Sequence, residues 1–161
     1  MDPTPHLLSE LPFFRDFNRE SLRLLSASAM HVRLEPGVEI FREGEPADRF
    51  YVLRSGRIAI ETRGPDGQPM VVQVLGAGEL VGWSWLLPPH RWQFSARTLE
   101  PVDAICFAGS RLRQACDAEQ TLGYQMVRGM AESLVQRLAA ARTKLAEQIA
   151  TGKPPPVSSA P

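Results

Sequence analysis

The spacing of hydrophobic residues changes twice along the chain. Near the amino terminus, Leu22, Leu25 and Ala29 recur at the three- and four-residue intervals of one helix face. Asn18 precedes this run and is a candidate N-cap, because its side-chain oxygen can accept a hydrogen bond from a free N–H of the first turn. The whole pattern predicts amino-terminal helices over about residues 7–30, a β-rich unit over about 31–108 and carboxy-terminal helices over about 110–150.

The β-rich unit is predicted from short apolar runs that glycine-containing turns separate. The segment Pro65-Asp66-Gly67 is a strong hairpin signal between two of these runs. Several short strands at such spacing indicate a small sandwich or barrel. The predicted strands cover residues 38–41, 50–53, 58–62, 70–75, 94–98 and 102–107.

The last helix has a second apolar pattern, which alternates between four- and three-residue steps as in a coiled-coil seam. Every one of these residues could instead pack on its own domain. Beyond Gln136, however, the chain has little other core to cover, so the pattern predicts a homodimer through this helix. The seam residues are Val127, Ala131, Leu134, Leu138, Ala141 and Leu145.

The composition of the chain limits the kinds of partner that it is expected to bind. The chain has 161 residues, enough for one domain, with 18 Lys and Arg against 18 Asp and Glu. A formal net charge of zero argues against strong non-specific nucleic-acid binding, which usually needs a basic excess. After the long helix the sequence is rich in proline and serine, which predicts a disordered tail over residues 151–161. No recognition helix follows the long helix, so direct DNA binding is not expected.

The sequence has the features of a cytoplasmic protein. Its two cysteines, Cys106 and Cys116, are widely separated, and so few cysteines favour a reducing compartment. The amino terminus lacks a basic segment followed by an apolar run, so no signal peptide is predicted. No apolar run approaches the roughly 20 residues that a membrane span needs, so no membrane association is expected.

Enzymatic chemistry is not predicted. The three histidines, His6, His31 and His90, lie far apart and form no metal-ligand spacing. No G-x-S-x-G nucleophile motif is present. The sequence therefore indicates no catalytic residue and no metal ligand.

Short segments follow one another in a fixed order: Glu35-Pro36-Gly37, Ile40-Phe41-Arg42-Glu43-Gly44, Ala47-Asp48, Phe50-Tyr51-Val52, Ser55-Gly56-Arg57-Ile58 and Gly78-Glu79-Leu80. In this order they resemble one known family, the cyclic-nucleotide-binding domain of the catabolite-activator (Crp/Fnr-like) superfamily. The resemblance covers roughly residues 7–145. It implies an α+β, mainly β, fold: a double-stranded β-helix or jelly-roll-like β-roll, flanked by amino-terminal helices and a long carboxy-terminal dimerisation helix.

The resemblance also implies a phosphate-binding cassette, and here the chain departs from the family. Glu79 matches the family's ribose-binding glutamate, whereas alignment backwards from Ala96-Arg97-Thr98 puts His90 at the position of the phosphate-binding arginine. Arg91 then falls where the family has a small residue. On the long helix, one arginine lies near the lid position. The candidate ligand-binding residues are Gly78, Glu79, Leu80, His90, Arg91, Trp92 and Arg137.

Three tryptophans, Trp83, Trp85 and Trp92, crowd this cassette and leave two functions open. They could stack on a flat ligand, in which case the chain is a stand-alone sensor or regulatory module without a DNA-binding domain, with cAMP or another small anion as ligand. They could instead fill the pocket, in which case the chain is a ligand-independent dimerisation or adaptor module with a protein partner. Apart from such a ligand, no cofactor is predicted.

Overall fold

Eight antiparallel strands form two four-stranded sheets in the computed structural model, which describes residues 3–152. The strands are β1 (Ala29–Leu34), β2 (Glu39–Phe41), β3 (Arg49–Ser55), β4 (Ile58–Arg63), β5 (Pro69–Leu75), β6 (Leu80–Val81), β7 (Ser95–Thr98) and β8 (Val102–Ala108). One sheet has the order β1-β8-β3-β6 and the other has the order β2-β7-β4-β5. The predicted α+β β-roll is confirmed.

Helices cover both ends of the chain. They are α1 (Pro5–Ser9), α2 (Arg19–Ser26), α3 (Gly109–Ala118) and α4 (Gln120–Ala150), with a short 3₁₀ turn at Pro12–Phe14. Asn18 caps α2 as predicted, since its side-chain oxygen accepts a hydrogen bond from the N–H of Ser21 at 2.8 Å. Of the predicted tail, residues 153–161 lie outside the described part of the chain.

The turn between β4 and β5 confirms the predicted hairpin. The two strands pair antiparallel from Ile58 with Leu75 to Arg63 with Pro69. Gly67 has a φ of 78°, which is the left-handed conformation that a glycine adopts without steric cost. The hairpin ends at an exposed tip, and its strand β5 forms one edge of the second sheet.

Two hydrophobic clusters hold the fold together. The first joins the helices to the β1-β8-β3-β6 sheet through side chains that are almost fully buried, including Leu8, Phe14, Leu25, Phe50, Phe107, Leu112, Leu122 and Met126. The second lies between the two sheets and includes Phe41, Leu53, Ile58, Leu75, Trp92, Val102 and Ala104. The cassette between β6 and β7 supplies side chains to both clusters, so the two cores meet there.

Two strands are absent from the sequence-based prediction. β1 has a weak apolar signal because exposed Met30 and Arg33 interrupt it. β6 has only two residues. Both strands form through partners far along the chain, since β1 pairs with β8 and β6 pairs with Tyr51 and Val52 of β3. Such pairing is a tertiary effect that local spacing does not reveal.

None of the helices in residues 3–152 has the length and apolar character that crossing a membrane requires.

The two cysteines should react slowly with alkylating reagents. Cys106 is buried between the sheets, and burial raises the pKa of its thiol. Burial also raises the pKa of Cys116 on α3 to about 11, and Asp117 adds to the effect. Because only the thiolate reacts, we expect iodoacetamide at pH 7.5 to modify the protein about 100-fold more slowly than free cysteine. The rate at Cys116, measured by mass spectrometry in a Cys106→Ala variant, should rise with pH until about pH 11; a rate at pH 7.5 equal to that of free cysteine would contradict this assignment.

Candidate functional site

The cassette begins where β6 ends. Gly82 has a φ of 90°, a left-handed conformation, and turns the chain out of the strand. Trp83 then opens a single helical turn, which the hydrogen bond from the N–H of Leu86 to the carbonyl of Trp83 closes at 3.2 Å. The turn runs into the cis Pro88-Pro89 peptide and then to His90, whose φ of 55° is also left-handed. This turn therefore starts at Trp83.

Glu79 lies in the turn that precedes β6. Its Oε2 accepts a hydrogen bond from the N–H of Gly76 at 2.7 Å, and its side chain is exposed. Gly78 makes this turn with a φ of 85°. Leu80 has its side chain in the helix-facing core. Glu79 thus closes a local turn, and its role as a ligand group stays a prediction.

His90 and Arg91 bind the backbone of a neighbouring turn. The carbonyl of His90 accepts a hydrogen bond from the N–H of Ala47 at 2.7 Å. Arg91 donates from Nη1 to the carbonyl of Gly44 at 2.9 Å, and its side chain is exposed. The structure therefore brings Arg91 to the turn at Gly44 and not to the cassette turn. A ligand role for either residue stays a prediction.

Trp92 fills the space between the sheets. Its ring stacks on Phe41 with centroids 3.8 Å apart and planes at 11°, and only 4% of the residue is exposed. A Cβ at Gly82 would lie 2.6 Å from this ring, so only glycine fits there. The space left beside Trp92 and Phe94 is about 10 Å³, roughly the size of one water.

The other two tryptophans lie on different sides of the cassette. Trp85 is fully buried in the helix-facing core, where its ring centroid lies 5.7 Å from that of Phe50. Trp83 is half-buried and meets Phe94 edge to face at 5.7 Å. Arg137 of α4 covers one face of the Trp83 ring.

Arg137 connects α4 to the cassette. Its Nη2 donates a hydrogen bond to the carbonyl of Leu80, and its guanidinium carbon lies 5.2 Å from the centroid of the Trp83 ring. The residue is only 8% exposed. Burial lowers the pKa of Arg137 to about 10, while nearby Glu79 opposes the shift. The group remains a cation at neutral pH.

A cavity of about 350 Å³ lies beside this contact, between α4 and strands β4 and β5. Its strand side is formed by Ile60, Val72 and Gln73, and its cassette side by Trp83 and Phe94. Its helix side is formed by Leu134, Arg137, Leu138, Ala140, Ala141 and Lys144. The cassette is therefore filled toward the core between the sheets and open toward α4.

Sequence reasoning located Arg137 but missed several residues of this site. Trp83 is not separated from the other two tryptophans in the sequence analysis. Its position directly after Gly82 marks it as the start of the turn. Phe41 and Phe94 carry no local signal of their role. Lys144 lies seven residues after Arg137 and so on the same helix face, which the sequence could have shown.

Comparison with known proteins places this architecture in one family. The sequence model of the family described as cyclic nucleotide-binding domain matches residues 31–119. The CRP-like cAMP-activated global transcriptional regulator of Mycobacterium tuberculosis H37Rv is 27% identical over 148 residues, which are 92% of this chain and 64% of that protein. Acetyltransferase Pat of Mycolicibacterium smegmatis is 31% identical over 150 residues, which are 91% of this chain and 42% of that protein. The chain thus spans less than two thirds of the length of either curated relative.

A solved structure agrees with these matches. A candidate cyclic nucleotide-binding protein from Geobacter metallireducens GS-15 superposes with a TM-score of 0.76 and 25% identity, over 84% of this chain and 98% of that one. The relatives support a ligand-binding regulatory module. The sequence matches and the shared fold show that the chain belongs to the cyclic nucleotide-binding domain family, of the Crp/Fnr type.

Proposed function

We propose that this domain is a regulatory module that takes its ligand in the cavity beside α4, and that it does not clamp a cyclic phosphate in the cassette. The observation that carries the proposal is the stack of Trp92 on Phe41, which fills the interior of the roll next to Gly82. The cavity of about 350 Å³ next to Arg137 is large enough for a small molecule.

The contacts of His90 and Arg91 disfavour either residue as the cation for a cyclic phosphate. Arg91 is bound to the carbonyl of Gly44, and recruiting it would break that hydrogen bond and move the loop after Pro89. His90 accepts a backbone hydrogen bond through its carbonyl, which fixes its main chain. A phosphate is best held by a permanent cation such as arginine.

The contact of Arg137 with the cassette supplies a route for regulation. It ties α4 to Leu80 and Trp83, so a ligand beside Arg137 would change how firmly α4 is held. A ligand can shift the equilibrium between two arrangements of α4 by no more than the difference between its binding free energies to them. A ligand-independent adaptor is the second candidate, because Arg137 joins α4 to the cassette through the chain's own groups.

The surface that a second copy would cover is the seam of α4. Its larger side chains, Val127, Leu134, Leu138 and Leu145, are between 36% and 52% exposed. Alanines at the two other seam positions are also exposed. A parallel two-stranded coiled coil would cover these side chains and remove their apolar surface from water. We infer that the module acts as a homodimer.

Cyclic nucleotides should not stabilise the protein. A ligand at 100 times its dissociation constant adds about 2.7 kcal/mol, which for a domain of this size raises the melting temperature by roughly 5–10 °C. We expect thermal unfolding in millimolar cAMP or cGMP to show no such rise. A saturable rise that disappears in an Arg91→Ala variant would show that the loop rearranges into a working phosphate clamp, and would contradict the proposal.

The closure of the cassette can be tested at Gly82. In Gly82→Ala, the new methyl group meets the ring of Trp92 in addition to the strain of a left-handed backbone, so we expect a loss of about 3 kcal/mol in the free energy of unfolding. Gly37→Ala is the matched control: Gly37 has a φ of 77° with no atom within 4 Å of its Cβ position, so it should cost about 1 kcal/mol. Equal losses in urea unfolding would show that Trp92 does not fill this space.

The dimer can be tested at the end of α4, away from the cavity. Leu145→Glu places two like charges in the apolar seam, and we expect the dissociation constant of the dimer to rise at least about 100-fold. Ala146→Glu adds the same charge at the next position, which lies outside the seam, and should change it little. Sedimentation equilibrium measures both, and an unchanged constant in Leu145→Glu would rule out this seam.

A further inference from the structure

We propose that the cavity beside α4 binds a small amphipathic anion, a carboxylate on a flat apolar body, with the carboxylate paired to the guanidinium of Arg137. This inference rests on the proposed function, since it names the class of ligand for the same cavity. It is carried by an unpartnered donor, by the charges that face the cavity and by the apolar walls.

The Nη1 group of Arg137 has no hydrogen-bond acceptor within residues 3–152, although it is buried. The opposite nitrogen, Nη2, is used by the carbonyl of Leu80. A buried donor without an acceptor is costly, and a buried cation without a counter-charge is more so. Arg137 also lines the cavity, so an anion placed there supplies the counter-charge, and it reaches Nη1 once the guanidinium turns toward the cavity.

The charged groups around the cavity neutralise Arg137 only in part. Glu79 is near enough to raise the pKa of Arg137, but its Oε2 accepts a hydrogen bond from the N–H of Gly76. Lys144 is the other charged residue of the cavity wall. It lies two helical turns beyond Arg137, about 10.5 Å along the axis, on the same face. The two cations therefore favour an anion and exclude a cationic ligand.

The proposed dimer does not supply the missing carboxylate either. With Leu138 and Leu145 at a positions of the seam, Arg137 and Lys144 occupy g positions. A g residue in a parallel coiled coil faces the e position of the following heptad on the other helix. For Arg137 that residue is Arg142 of the partner subunit, which adds positive charge. The proposed seam therefore offers Arg137 no carboxylate, and we assign the anion to a separate molecule.

The residues of the cavity wall indicate the polarity and shape of the rest of the ligand. Ile60, Val72 and Phe94 face Leu134 across the cavity, and Gln73 is the uncharged polar side chain of the wall. Hydroxyl groups on a ligand would lose water here without enough partners, which disfavours a sugar. Small side chains at Ala140 and Ala141 leave room along the helix for a flat body. The site thus fits an aromatic or compact aliphatic carboxylate.

A pair of matched probes tests the inference on the full chain. Indole-3-acetate carries the carboxylate, and indole-3-acetamide has nearly the same shape without the charge. We expect isothermal titration to give saturable binding of the acetate in the micromolar to low millimolar range, with the amide at least about 10-fold weaker, as the loss of a charge-assisted hydrogen bond implies. No saturable binding of the acetate, or equal binding of both probes, would overturn the inference.

Variants of α4 locate the site. Ala140→Leu fills the cavity and should weaken acetate binding at least about 10-fold, whereas Ala139→Leu lies outside the cavity wall, retains helix propensity and should leave binding unchanged. Arg137→Gln should make the acetate and the amide bind equally. If Arg137→Gln does not fold, the Ala140→Leu and Ala139→Leu variants still test the location of the site, because unchanged binding in Ala140→Leu would overturn it.

The same titrations separate this inference from the proposed function. Binding of cAMP with dependence on Arg91 would contradict the closed cassette, while the acetate and amide comparison would still decide the role of Arg137. If neither indole probe nor cAMP binds, the anion proposal is overturned. The closed cassette and the second candidate, a ligand-independent adaptor, would then remain.

Discussion

The packing of Trp92 against Phe41 is the contact on which the arrangement of the cassette depends. Trp92 enters the core between the two sheets, and Gly82 passes so close to its ring that no side chain fits at that position. Burial of a tryptophan contributes about 3 kcal/mol, which is a large share of the stability of a small domain. A ligand that needed this space would first have to expel the ring.

The effect of that packing extends to the other cassette residues. Because Trp92 is drawn inward, its neighbour Arg91 is directed outward to the carbonyl of Gly44. The helical turn that starts at Trp83 then presents an aromatic face toward α4, and Arg137 covers it. The cassette and the long helix thus meet through a protein-only contact, between Trp83 and Arg137. Free volume remains in the cavity along α4.

Helix α4 connects this cavity to the proposed dimer. Its first turns pack through Leu122, Met126 and Met130 against the helix-facing core, whereas most of its surface after Arg137 is exposed. Leu138 and Ala141 belong both to the cavity wall and to the predicted seam. Any molecule in the cavity would therefore lie against the surface where the two copies are proposed to meet, and this geometry couples occupancy to assembly.

The sequence by itself determined the fold. Glycine-marked turns, the hairpin at Pro65-Asp66-Gly67, the cap at Asn18 and the long apolar helix are local signals, and the structure confirms each of them. Only the tertiary structure decided which groups of the cassette are available. Whether Trp92 points inward depends on Phe41, about fifty residues away in the chain, and whether Arg137 has a free donor depends on Leu80 and Trp83. Local spacing carries turn and helix preferences, whereas burial and hydrogen-bond satisfaction are set by neighbours that only the folded chain brings together.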